Sequence, residues 1–131
     1  MEAPEQYSES TLADMALSHA EPSVREEAVH ALGERRGVVA LQTLQQALQD
    51  PNPRVRAEAI RALVVVGGRD AVPILSSALS ASDPSLRADV VDALGEIGGS
   101  DATRILEQMR HDENDVVREA AAEWLAELKG T

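Results

Sequence analysis

Apolar residues at Val55, Ala59, Ile60, Ala62, Leu63 and Val66 follow steps that keep them on one face of a helix. Ala71, Ile74, Leu75, Ala78 and Leu79 make a second such face soon afterwards. No segment alternates apolar and polar residues for long, so strands are not predicted. Pro53 stands just before the first run, where a missing N–H costs least. Asp83 and Ser85 are N-cap candidates for the equivalent helix downstream. Gly67-Gly68 and Gly98-Gly99 are expected to stop the first helix of each pair, because glycine takes the left-handed cap conformation cheaply. Asp70, and either Ser100 or Asp101, are then expected to cap the second helix.

The pattern repeats. Val24-Arg25, Val55-Arg56, Leu86-Arg87 and Val117-Arg118 recur every 31 residues. The same offset aligns Leu32, Leu63, Leu94 and Leu125, then Pro22, Pro53 and Pro84, then Gly37, Gly68 and Gly99. Apolar, Pro, Gly and Arg positions matching together over four units identify a repeat protein. Three whole units, 19–49, 50–80 and 81–111, are flanked by half units at 9–18 and 112–131. The chain therefore reads as one repeat domain over 9–131, preceded by a flexible arm at 1–8. At least three units are usually needed, since one helix pair cannot bury its own apolar face.

The run Asp50-Pro51-Asn52-Pro53-Arg54-Val55-Arg56, followed by Ala59, Leu63, Gly67-Gly68, Asp70-Ala71-Val72-Pro73 and Leu75, resembles a HEAT repeat. It is most similar to the short HEAT-like class named after phycobilin lyases. The resemblance spans roughly residues 19–129. It implies an all-α, right-handed α-solenoid of about seven or eight helices. Unit one departs from the pattern at Glu34-Arg35-Arg36-Gly37-Val38-Val39.

Composition narrows the function. The 131 residues carry a net charge of -11, which argues against a phosphate-binding footprint. With one Trp, one Tyr and no Phe there are no platforms for stacking bases. The absence of Cys excludes disulfides, thiolate metal sites and cysteine nucleophiles. Uninterrupted apolar runs are too short for a membrane span, and no signal peptide begins at Met1. The expected compartment is the cytoplasm, or the periplasm if a signal has been removed. Charge is concentrated at the ends: -4 over 1–18 and -4 over 112–131, against +1 over 50–80.

In a solenoid, equivalent positions stack into rows. Arg25, Arg56, Arg87 and Arg118 form one row, with Glu21, Asn52, Asp83 and Asn114 beside it in sequence. Such a row serves either an anionic ligand or a structural ladder. The HEAT-like resemblance implies the ladder, and the planar guanidinium suits it. The outer face of the first helices, with His30, Glu34, Glu58 and Arg61 among others, is expected to be solvated. The second helices present Gln42, Gln45, Gln46 and Gln49, then Ser76 and Ser77, then Arg104 and Gln108. Amides and hydroxyls both donate and accept hydrogen bonds, so this concave face is the candidate site for a peptide or protein partner. Trp124 replaces Ala31, Ala62 and Ala93 of the earlier units. It either plugs the open C-terminal end or anchors a partner or second copy.

No other chemistry gathers. His19, His30 and His111 lie in different units without metal-ligand spacing, and no Gly-Lys-Ser/Thr follows the glycine pairs. The sequence thus points to a non-catalytic adaptor, scaffold or regulatory subunit. It is expected to use no cofactor or metal, bind no nucleic acid and insert in no membrane. It would be a monomer or a weak homodimer through the C-terminal end. The alternative, from the resemblance, is a lyase-like accessory subunit of an enzyme.

Overall fold

A computed structural model describes residues 6–81 and 83–130. Among these are eight α-helices and no strand: α1 Glu9–Ser18, α2 Pro22–Gly33, α3 Val38–Ala47, α4 Pro53–Gly67, α5 Val72–Ser76, α6 Pro84–Ile97, α7 Gly99–Met109 and α8 Asp115–Gly130. Turns of 3-10 helix at Gly68–Ala71 and Ser77–Ser80 flank α5. The chain divides into two compact units, Met1–Gly67 and Gly68–Thr131.

In the first unit α2 packs on α1 and α4, and α3 packs on all three. Its core is Leu12 and Ala16, Ala28 and Leu32, Leu44 and Leu48, and Ala59 and Leu63. In the second unit α8 packs on α6 and α7, and α5 rests on α6 and α7. Leu75, Val90, Leu94, Leu106, Val117 and Ala121 form that core. These are repeat-equivalent positions, so the periodicity selects the buried face. Each fully buried leucine contributes about 1.5–3 kcal/mol.

The helix ends show where local chemistry differs from the repeat. Ser8 caps α1 by accepting the Thr11 N–H at 3.2 Å, and the Tyr7 carbonyl accepts from the Arg35 guanidinium. The inner end of the expected arm is therefore tied to the first unit, while residues 1–5 lie outside the described residues. Unit one turns through Arg36, which has φ 56° without being glycine. Asp83 caps α6 through the Ser85 N–H at 2.9 Å. Gly98 (φ 68°) and Gly99 (φ 88°) separate α6 from α7. The other glycine pair behaves differently: Gly67 stays helical and Gly68 (φ 51°) opens a 3-10 turn. Asp70, Ser100 and Asp101 do not cap. Ala71 and Gly98 hold those positions without a side-chain bond, and Asp101 pairs with Arg104 instead.

The helical stretch Pro53–Ser80 is long and apolar enough to cross a membrane by length and composition, against the expectation that none exists. A packed core helix passes the same test. Leu63, Val72 and Leu75 of this stretch are core residues.

Candidate functional site

The arginine row is built from two matching networks, one in each unit. Arg25 grips Asp50 with two bonds, Nε to Oδ2 at 2.8 Å and Nη2 to Oδ1 at 3.2 Å. Its Nη1 donates to the His19 carbonyl at 2.7 Å. Arg87 grips Asp112 with Nε at 3.0 Å and Nη2 at 3.1 Å, and donates Nη1 to the Ala81 carbonyl at 2.8 Å. Arg56 and Arg118 donate to the backbone carbonyls of Asp50 and Asp112 at 2.9 and 2.8 Å. Each Asp side chain also accepts an amide two residues on, Asn52 at 2.8 Å and Asn114 at 2.9 Å. Asn52 and Asn114 accept in turn from Arg54 and Val116, both at 2.9 Å, at the starts of α4 and α8.

Bidentate guanidinium–carboxylate pairs of this kind are strong and directional. The hydrogen bond to Asp50 raises the pKa of Arg25, and that to Asp112 raises Arg87, in each case against a smaller effect of burial. Burial opposes the charge on Asp112, but bonds from Arg87 and the Asn114 amide outweigh it and hold its carboxyl below the ordinary value. The chelating acids lie 25 residues beyond their arginines. They are not the residues beside the row in sequence.

On and just beyond α3, Gln42, Gln45, Gln46 and Gln49 are all exposed. None of their side-chain amides has a hydrogen-bond partner among the described residues. The helix buries Thr43, Leu44 and Ala47 on its other side, which turns the glutamines outward together. Thr11, Asp14 and Ser18 are exposed on the adjoining α1.

The second unit presents a different surface. Ser76 is half-buried and Ser77 exposed, yet each hydroxyl donates to its own helix, to Pro73 at 3.0 Å and Ile74 at 2.6 Å. Arg104 is exposed and pairs with Asp101 at 3.3 Å. Gln108 is exposed on the same face of α7. Between them Glu107 bonds Lys129 of α8 and Arg110. The Lys129 bond is the largest cause holding its carboxyl below the ordinary value.

Trp124 lies half-buried over Gly95, with its indole N–H donating to Asp92 at 2.9 Å. Glu58 corrects the expectation of a solvated outer face. It is buried, with Oε2 3.1 Å from His30 Nδ1 and Oε1 accepting from Arg61 at 3.0 Å. Among the described residues no group of three or more His, Asp or Glu is placed to hold a metal ion.

A family model described as HEAT repeats matches residues 2–62 and 41–126. No curated protein sequence matches the chain. Among solved structures, human deoxyhypusine hydroxylase in complex with glycerol is similar, with TM-score 0.79 and 26% identity over 97% of this chain. The chain spans 45% of that protein's length. A crystal structure of an engineered protein is similar in fold, with TM-score 0.56 and 21% identity, covering 93% of this chain and 62% of that one.

Proposed function

Because the chain belongs to the HEAT repeat family, we propose that it is a non-catalytic adaptor, scaffold or regulatory subunit that binds a peptide or protein through the exposed faces of its second helices. One observation carries this reading: the four glutamine amides on and just beyond α3 are exposed together and have no internal partner. An amide that meets only water is free to trade that water for the backbone of an extended segment. Ser76, Ser77, Arg104 and Gln108 belong to the same proposal in the second unit. There the serine protons are already used within the helix, so the hydroxyls offer mainly lone pairs. The first unit is the stronger half.

The test is a pull-down from the source cell, read by mass spectrometry, with three baits. Gln45→Arg/Gln46→Arg is expected to lose a partner that wild type and the variant Glu119→Arg, at an exposed position on α8 away from α3, both retain. Retention of every partner by the glutamine variant would remove the α3 surface.

A second reading, an accessory subunit of an enzyme, draws on the likeness to the hydroxylase. An enzyme that co-purifies with this chain and slows when the chain is removed would favour it.

A further inference from the structure

Two grooves on the outer helices occupy equivalent places in the repeat and differ in what fills them. In the second unit the groove between α6 and α8 has Gly95 as its floor, and the indole of Trp124 lies over it. The ring's N–H edge is met by the Asp92 carboxylate. Two periods earlier, Gly33 stands at the Gly95 position, Ala62 at the Trp124 position and His30 at the Asp92 position. A Cβ on Gly33 would lie 2.9 Å from that of Ala62, so α2 and α4 are also in close approach. Alanine supplies no ring, however, and a cavity of about 90 Å³ remains beside it. Val65, 61% exposed, forms its outer wall.

We propose that this groove in the first unit is a docking slot for a tryptophan side chain carried by a basic segment of a partner protein. The molecule's own second unit shows the occupant that such a groove takes. The apolar floor suits a ring face. The stem of Glu34 lines the slot, whose walls are almost wholly apolar, and its exposed carboxylate at the rim has no partner among the described residues, so it offers the acceptor for an N–H edge that reaches the rim. Phenylalanine would leave that carboxylate unmatched. Glu58 is not the acceptor, because His30 and Arg61 already engage both its oxygens. Arg61 and His30 at the slot are already paired with Glu58, so the charges left over beside it are those of exposed Glu27 and Glu34 on α2, which favour a basic flank over an acidic one. A second copy of this chain is a poor donor, since its Trp124 is engaged at Asp92. The slot is distinct from the α3 surface, and neither proposal depends on the other.

The probes are the capped tripeptides Lys-Trp-Lys, Lys-Phe-Lys and Glu-Trp-Glu, titrated into nitrogen-15-labelled full-length protein. Lys-Trp-Lys is expected to shift the amides of Gly33, Ala62 and Val65 in a saturable way. Glu34→Ala should weaken it about tenfold, the worth of one charge-assisted hydrogen bond. The other two peptides should bind more weakly. Ala62→Trp fills the slot from within and should abolish the shifts. Should that variant not fold, Val65→Asp at an exposed wall position serves the same purpose. No saturable shift at these amides, equal binding of all three peptides, or shifts unchanged in the folded slot variants would overturn the proposal.

Discussion

Gly95→Ala is expected to destabilise the protein by about 2–4 kcal/mol, and the same substitution is expected to be neutral or stabilising once Trp124 is alanine. An added Cβ would sit 2.1 Å from Trp124 Cδ2 and 2.3 Å from Cγ. Those atoms are the root of a rigid ring, not the tip of a flexible chain. The ring is tethered at its far edge by the Asp92 bond. It must leave the groove or push α8 away from α6, and overpacking alone costs about 1–3 kcal/mol. Losing ring contacts adds to that. Trp124→Ala by itself should cost about 2–3 kcal/mol, below the full core value because the ring is half-exposed. In that background the three atoms nearest the methyl are gone, and alanine gains up to about 1 kcal/mol of helix propensity over glycine. Urea denaturation of the four proteins gives the coupling directly. An equal loss in both backgrounds would show that the Gly95–Trp124 contact is not the source. At Gly33 the opposing atom is a single Ala62 methyl at 2.9 Å, so Gly33→Ala should cost less.

This contact also shows how far the sequence could be taken. The 31-residue period located the helices and the core, because burial in stacked helix pairs depends on spacing, and spacing is written in the order of residues. Trp124 stood out because it breaks a row of alanines. Its floor, Gly95, did not, since a helical glycine carries no mark of what lies above it. The carboxylates of the arginine networks were missed for a related reason. Asp50 and Asp112 follow Arg25 and Arg87 at one fixed separation, so a search at that offset would have found them. The caps expected at Asp70 and at either Ser100 or Asp101 are absent because the glycine pairs are not equivalent: one continues as 3-10 helix and the other breaks with two residues at positive φ. On the proposed binding face, spacing put four glutamines together, and the structure leaves them unpartnered. The serines looked equivalent but bond their own helix, a local habit of short hydroxyl side chains that periodicity does not reveal.

Arg87→Met should be among the most damaging single changes in the second unit. The Arg87 and Asp112 side chains are only 7% and 10% exposed. Removing the guanidinium leaves a nearly buried carboxylate with the Asn114 amide as its remaining close donor. Breaking a buried pair typically costs about 3–5 kcal/mol. The water-facing edge of Asp112, beside the exposed Glu113, should reduce this to about 2–4 kcal/mol. Arg87→Met/Asp112→Leu should recover part of the loss, because no orphan charge remains. The pH profile separates charge from packing. Asp112 is held below its ordinary 3.8, so its contribution is complete above that value and fades as pH falls through the lower folded value. Arg87 is shifted upward by its hydrogen bond to Asp112, so its contribution is complete across the whole usable range and adds no slope there. Wild type should therefore lose stability below about pH 4 more steeply than Asp112→Asn, by urea midpoint at fixed salt. Parallel curves for the two proteins would mean that the pair holds the α6 and α8 ends by shape and not by charge.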